Sequence, residues 1–166
     1  MKKQRTLVLI KPDGIIRHFI GKIISRFEDA GLKIIGMKML WISKEFAEKH
    51  YQKDIEEKHG KRVRDGLIDY IKEGPIIAMV LEGVNSISVT RKIVGSTYPA
   101  ESAPGTIRGD FAHISKEYAN TNEINVRNLI HASSDEKDAQ REVSLWFSRE
   151  ELHSYKTVHD IICLEE

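Results

Sequence analysis

The sequence predicts an α/β sandwich in which helices cover one small sheet. Three observations carry that class. Residues 6–10 and 75–81 are continuous runs of apolar, β-favouring side chains, which read as buried strands. Between and after them, apolar residues recur at helical spacing. The resulting order, β-α-β-α-α-β-α-β, is one that a split βαβ arrangement satisfies.

The first strand, residues 6–10, stops at Lys11-Pro12-Asp13-Gly14. Pro12 pushes Lys11 toward an extended conformation, and Asp13 is a good N-cap for the next helix. Ile15, Ile16, Phe19, Ile20, Ile23, Ile24 and Phe27 then mark one face of that helix, which Gly31 ends. Residues 32–41 read as the second strand. Ser43 caps another helix, with Phe46, Ala47, His50 and Tyr51 along one side. A further helical stretch carries Val63, Leu67, Ile68 and Ile71 in step and ends near Gly74. Residues 75–81 are apolar enough for a central strand, and Asn85 or Ser86 starts a helix reaching about Val94. Residues 95–109, with Pro99, Pro104 and Gly105, read as loop. Residues 110–114 and 126–130 read as parts of a strand region interrupted by a polar insert. Asp135 caps a last clear helix to about Phe147, and Glu150-Glu151-Leu152 opens a short final one.

A chain of 166 residues fits one domain, here residues 1–166. Domains of this size bury about 70% of the surface of the unfolded chain, enough for a core without disulfides. Lys plus Arg number 26 and Asp plus Glu 25, so any phosphate site must come from local placement of cations. Nucleic-acid binders usually carry a basic excess or stripe, and neither is present; no nucleic-acid partner is expected. Cys163 is the single cysteine, which excludes an intramolecular disulfide. The apolar run after Arg5 is too short for a signal peptide. No stretch approaches the roughly 18 apolar residues of a membrane span. The expected location is cytoplasmic, with no membrane partner.

Asn128-Leu129-Ile130-His131-Ala132-Ser133-Ser134-Asp135 sets His131 where a strand ends and a helix is about to begin. Glu142 lies eleven residues on, close to three helical turns, so a helix from Asp135 can return it toward His131. A carboxylate that accepts one ring N–H fixes the tautomer and leaves the other nitrogen as a nucleophile. The same spacing equally fits a histidine that plugs the sheet end beside a solvated glutamate. Lys11 sits at the end of the first strand, Arg91 late in its helix, and Arg108 between Gly105 and Gly109. Glycines there allow tight turns and close backbone approach. Guanidiniums grip phosphate oxygens through paired, charge-assisted hydrogen bonds, and Thr97 offers a hydroxyl. Taken singly, each is an ordinary surface or salt-bridge residue.

Other phosphate machinery is missing from the sequence. It has no Gly-x-x-x-x-Gly-Lys-[Ser/Thr] loop, no Gly-x-Gly-x-x-Gly fingerprint and no protein-kinase set. No metal-binding pair of the His-Glu-x-x-His kind occurs either, so no protein metal site is expected. His18, His50, His59, His113, His153 and His159 are scattered and read as surface or packing residues, and Tyr51 is equally open.

With these residues set out, the chain resembles the nucleoside diphosphate kinases from about Arg5 to Glu165. Four segments carry the resemblance in order: residues 11–14, residues 75–80 with Glu82-Gly83, residues 104–111, and residues 128–133. The resemblance implies a ferredoxin-like βαββαβ core with additional helices, assembled as a homo-hexamer, or as a tetramer in some members. It implies a ping-pong transfer in which His131 takes the γ-phosphoryl of ATP or another triphosphate and gives it to a nucleoside diphosphate. Glu142 then matches the carboxylate that orients the imidazole, with Ser133 close by. Lys11, Tyr51 and Asn128 match residues at the transferred phosphoryl or the sugar hydroxyl, and Arg91, Thr97 and Arg108 match the phosphate-gripping set. Mg²⁺ would ride on the nucleotide phosphates.

Three departures from the family pattern stand out. Ala132 replaces a common glycine, and the acidic cap moves one position to Asp135. Val63 stands where the family stacks an aromatic on the base, in a hairpin about three residues longer; His59 is the other candidate there. An aliphatic wall predicts a looser nucleotide site, because base stacking on an aromatic is worth roughly 1–3 kcal/mol in single-strand binders. Residues 115–125 form a longer polar insert, similar to the archaeal branch, which would rim the site or an oligomer contact. These departures leave one alternative, a catalytically weak member used as an interaction or regulatory module. RNA binding on such a sheet would need stacking aromatics on its strands, and the expected strands carry none.

Overall fold

The computed structural model describes residues 3–165. Four strands, β1 (Lys3–Ile10), β2 (Lys33–Leu40), β3 (Ile76–Val84) and β4 (Ile130–Ala132), form one antiparallel sheet in the order β2-β3-β1-β4. That is the split βαβ, ferredoxin-like topology. The helices are α1 (Pro12–Ile16), α2 (Ile20–Asp29), α3 (Lys44–His50), α4 (Lys53–His59), α5 (Lys61–Ile71), α6 (Ser86–Val94), α7 (Ile107–Phe111), α8 (Lys116–Thr121), α9 (Glu136–Trp146) and α10 (Val158–Cys163).

Helices cover both faces of the sheet, which explains why β1 and β3 are continuous apolar runs. Along β1 the side chains alternate between two cores. Val8 and Ile10 pack with Ile23 and Phe27 of α2, Val94 of α6 and Ile107 of α7. Leu7 and Leu9 pack with Ala47 of α3, Ile68 and Ile71 of α5 and Trp146 of α9.

Several expectations change. Asp13 does not cap a helix: α1 is flanked by Lys11 and opens on Pro12. The Asp13 carboxylate instead accepts from the Tyr70 hydroxyl and, at 3.2 Å, from the Leu129 N–H. The single helix expected over residues 15–27 is two, broken at His18, which takes a left-handed φ of 60°. Apolar spacing runs across the break because both pieces face the same core. The loop expected over residues 95–109 contains a 3-10 turn, Pro99–Glu101, and the start of α7. Residues 110–114 are not strand: the Thr106 hydroxyl caps α7 by accepting from the Gly109 N–H, and the helix runs to Phe111. The strand pairing of residues 126–130 shrinks to β4, since Leu129 has φ 67° and turns the chain out of the ladder. The polar insert holds α8, capped by Ser115. Glu150 falls in a 3-10 turn, Arg149–Glu151, and the final helix is α10. The Ser43 and Asp135 caps form as expected.

Candidate active site

Where β1 and β4 end beside α3, α5 and α6, the fold leaves a cavity of about 710 Å³. Lys11, Tyr51, Val63, Arg91, Thr97, Arg108, Asn128, His131 and Glu142 all line it. Residues far apart in sequence are thus brought to one place. Ser133 is the exception: it lies fully buried behind the wall and reaches the site through Glu142.

His131 is the central residue of β4, paired with Leu9, so its backbone is fixed by the ladder. Its Nε2 lies 3.1 and 3.0 Å from the two Glu142 carboxylate oxygens. The Ser133 hydroxyl donates to the same carboxylate at 2.6 Å and accepts from the Leu7 N–H at 3.2 Å. Burial alone would raise the Glu142 pKa. The pull of the His131 ring and its hydrogen bond, with the His50 ring and the Ser133 hydroxyl, overcome that and hold it below the usual carboxylate range. An ionised carboxylate only accepts. Nε2 therefore carries a proton, and in the neutral imidazole Nδ1 keeps the lone pair.

Lys11 is buried, and its Nζ donates to Asn128 Oδ1 at 2.8 Å. Burial, reinforced by the Arg108 charge and opposed by Asp13, lowers its pKa to about 7. Asn128 is held in turn, its side-chain amide donating to the Thr97 carbonyl at 2.9 Å and its backbone N–H to the Tyr70 hydroxyl at 3.3 Å.

Arg108 has a second task that its spacing did not reveal. Nε donates to the Asn128 carbonyl, Nη1 to the carbonyls of Gly95 and Ser96, and Nη2 to that of Ile130. Four of its five N–H donors therefore clip the segment after α6 to the segment entering β4. Burial and then the Arg91 charge lower its pKa to about 10. Arg91, on α6, has no hydrogen bond or ion pair among the described residues and is free to meet an anion. The Tyr51 hydroxyl is buried without a hydrogen-bond partner among those residues. Burial and the Glu142 charge push its pKa up, so it stays an O–H donor.

Val63 on α5 also lines the cavity, and the insert supplies Asn120, Glu123, Ile124 and Asn125 to the lining. The longer segment therefore rims the site, as one of its two expected roles required. His59 lines the same region. The Asn125 side chain packs into the space beside Gly66, which ties the insert to α5.

Sequence reasoning missed Asp13 and Tyr70, which set the Asn128–Leu129 backbone, and it read His50 as packing. The one available signal was the adjacency of Asp13 to Lys11. Donor atoms of His50, His131 and Glu142 lie within 4.8 Å of one another. The His50 Nδ1 lone pair in that group already accepts from the Trp146 indole N–H at 3.2 Å.

A nucleophilic imidazole held by a carboxylate, beside converging cations, fits phosphoryl chemistry. The nucleoside diphosphate kinase family model matches residues 4–152. The nucleoside diphosphate kinase of Sulfurisphaera tokodaii is 51% identical over 152 residues, covering 92% of this chain and 94% of that one. Its counterpart in Pyrococcus furiosus is 49% identical over 152 residues, 92% and 88% of the two chains. A solved transition-state mimic of the Borrelia burgdorferi enzyme, with bound vanadate and ADP, superposes with a TM-score of 0.93. It shares 44% identity and covers 96% of this chain and 95% of that one. A Halobacterium salinarum nucleoside diphosphate kinase in complex with CDP gives 0.81 at 37% identity, covering 96% and 97%. On its geometry and these likenesses, the chain belongs to the nucleoside diphosphate kinase family, enzymes that transfer phosphate between nucleotides.

Proposed function

We propose that His131 is the group that carries the phosphoryl, and that residues 1–166 act as one domain. The observation that carries this reading is the Glu142 carboxylate on His131 Nε2, which leaves Nδ1 as the free nucleophile. Nδ1 attacks the γ-phosphorus of a nucleoside triphosphate. A P–N bond forms, the bond to the bridging oxygen breaks, and the diphosphate leaves with that electron pair. A terminal phosphate oxygen of a second diphosphate then attacks the phosphohistidine and breaks the P–N bond. One site serves both nucleotides in turn, as the ADP and CDP of the two solved relatives suggest. Incubation with γ-labelled ATP should leave an acid-labile, base-stable label that GDP removes. A protein that stays unlabelled would overturn the reading.

Position supports the other proposed roles. Lys11, Arg91 and the remaining donor of Arg108 hold the phosphates, with Thr97 beside them. Asn128 and Tyr51 meet the sugar hydroxyl or the transferred group, and Ser133 steadies Glu142. Cations at this end of the cavity repel a dication, and Glu142 is already engaged, so a protein cage for Mg²⁺ does not fit. Mg²⁺ is instead carried by the nucleotide phosphates, where it neutralises their charge.

Lys11 makes binding pH-dependent. With its pKa near 7 when free, it is charged below that pH and loses its proton above it. Nucleotide phosphate favours the charged form, so binding above pH 7 takes up a proton. Affinity for ADP should fall by up to about tenfold per pH unit above 7. Calorimetry in buffers of differing ionisation enthalpy checks this; no proton uptake at alkaline pH would contradict it.

Val63 supplies the base wall without an aromatic face. Val63→Phe should lower KM for nucleotides about three- to tenfold with little change in kcat, since stacking is shared by ground and transition states. An unchanged KM would place the base elsewhere in the cavity.

The edge strand β2 presents Met37 and Met39, each 56% exposed, and Trp41 lies just beyond it at 67%. The His153 N–H and the Tyr155 hydroxyl donate to the carbonyls of Ile35 and Ile34, but the apolar stretch beyond them stays open. Such an edge is commonly covered by another chain, which supports a homo-oligomer; the homo-hexamer is carried over from the family resemblance. No helix among the described residues is long and apolar enough to cross a membrane, and we assign the activity to the cytoplasm.

A further inference from the structure

His50 is the last residue of α3, 1% exposed, and it lies between Trp146 of α9 and the ring of His131. An indole N–H only donates. The bond from Trp146 Nε1 to His50 Nδ1 at 3.2 Å therefore requires an unprotonated Nδ1, with the ring proton on Nε2. The two imidazoles stand edge-to-face, centroids 4.7 Å apart and planes at 83°. His50 Nδ1 also lies 3.9 Å from Glu142 Oε1, an oxygen that sits 3.1 Å from His131 Nε2. Two histidines thus approach one carboxylate. A proton on His50 Nδ1 would make it a competitor for that carboxylate and put positive charge against the nucleophile's ring.

His50 Nε2 is buried without a hydrogen-bond partner among the described residues. An apolar ring would fill the space without that cost, so packing alone does not explain a histidine here. The charged and titratable groups facing it are His131 from β4, Glu142 and Arg141 from α9, Lys11 from the end of β1, and the neighbouring Tyr51. Burial, then the His131 charge, push its pKa well below the usual range; Glu142 pulls the other way, and Arg141 and Lys11 side with burial.

We propose that Trp146 and His50 form a neutrality lock, in which the indole N–H occupies His50 Nδ1 and keeps Glu142 committed to His131. His50 is then a positioning residue that keeps His131 Nδ1 aimed into the cavity. This deepens the reading of His131 as phosphoryl carrier and rests on it.

The test is the pH profile of single-turnover phosphoenzyme formation, each variant normalised to its own alkaline plateau. Trp146→Phe frees His50 Nδ1, so the acid limb should move to higher pH, with a rate about tenfold below wild type near pH 6. In the double variant Trp146→Phe/His50→Gln nothing titrates at position 50, and the limb should return to its wild-type place. A Trp146→Phe limb that superimposes on wild type, or a double variant that keeps the shift, overturns the proposal. Should the variants not fold, nitrogen-15 NMR of the wild-type protein decides instead. His50 should keep an unprotonated Nδ1 and a protonated Nε2 across the range where free histidines titrate; a protonated Nδ1 overturns the lock. That readout does not depend on activity, so it separates failure of the lock from failure of His131 as carrier.

Discussion

His131→Asn should abolish phosphoenzyme formation and lower turnover by at least about 10⁴-fold. The asparagine amide reproduces only the Nδ1 side of the ring and stops short of Glu142, whose carboxylate keeps the Ser133 hydroxyl, while Ser133 keeps the Leu7 N–H. What disappears is the basic ring nitrogen; an amide has no comparable lone pair. His131 is only partly buried and contributes little apolar area to either core. With the Ser133 bond to Glu142 retained, the thermal midpoint should fall only modestly while activity vanishes. Labelling with γ-labelled ATP and a melting curve on the same sample check both halves. Stoichiometric labelling of the variant would rule His131 out.

Arg108→Ala should cost both stability and catalysis, by about 3 kcal/mol and about 10²–10³-fold in kcat/KM. The stability loss comes from its bonds to the carbonyls of Gly95, Ser96, Asn128 and Ile130. Those carbonyls belong to two segments that meet at the site, and removing the guanidinium leaves them to find water in a buried place. The catalytic loss arises because Asn128, which holds Lys11, and Ile130, which precedes His131, sit on the segment Arg108 clips. Lysine should not rescue it, since an ammonium lacks the planar fork that reaches four carbonyls. Urea unfolding and steady-state kinetics test the pair of effects. Lost activity with unchanged stability would mean that Arg108 serves the phosphates alone.

The strands β1 and β3 were legible because helices cover both faces of the sheet, so burial writes itself as an unbroken apolar run. The break at His18 was not, because α1 and α2 turn their apolar sides to one core and the spacing continues across it. β4 exists only through its pairing with β1, and three residues leave no periodicity to read. The polar composition of the insert concealed α8, whose Ser115 cap was its local sign. At the site, the eleven-residue spacing from His131 to Glu142 was readable as one of two options, and the contact selects between them. The Arg108 clip, the Asp13–Tyr70 pair and the His50–Trp146 bond were not readable, since each joins residues whose proximity is created by tertiary packing.

The most direct measurement is the identity of the ring nitrogen that bears the phosphoryl group after reaction with ATP. Phosphorus–nitrogen NMR of the uniformly nitrogen-15-labelled protein distinguishes the two positions, and peptide mapping under base identifies the residue. With Nε2 held by Glu142, the phosphoryl should be on Nδ1 of His131. Phosphate on Nε2, on Ser133 or on any other residue would contradict the role assigned to the His131–Glu142 pair.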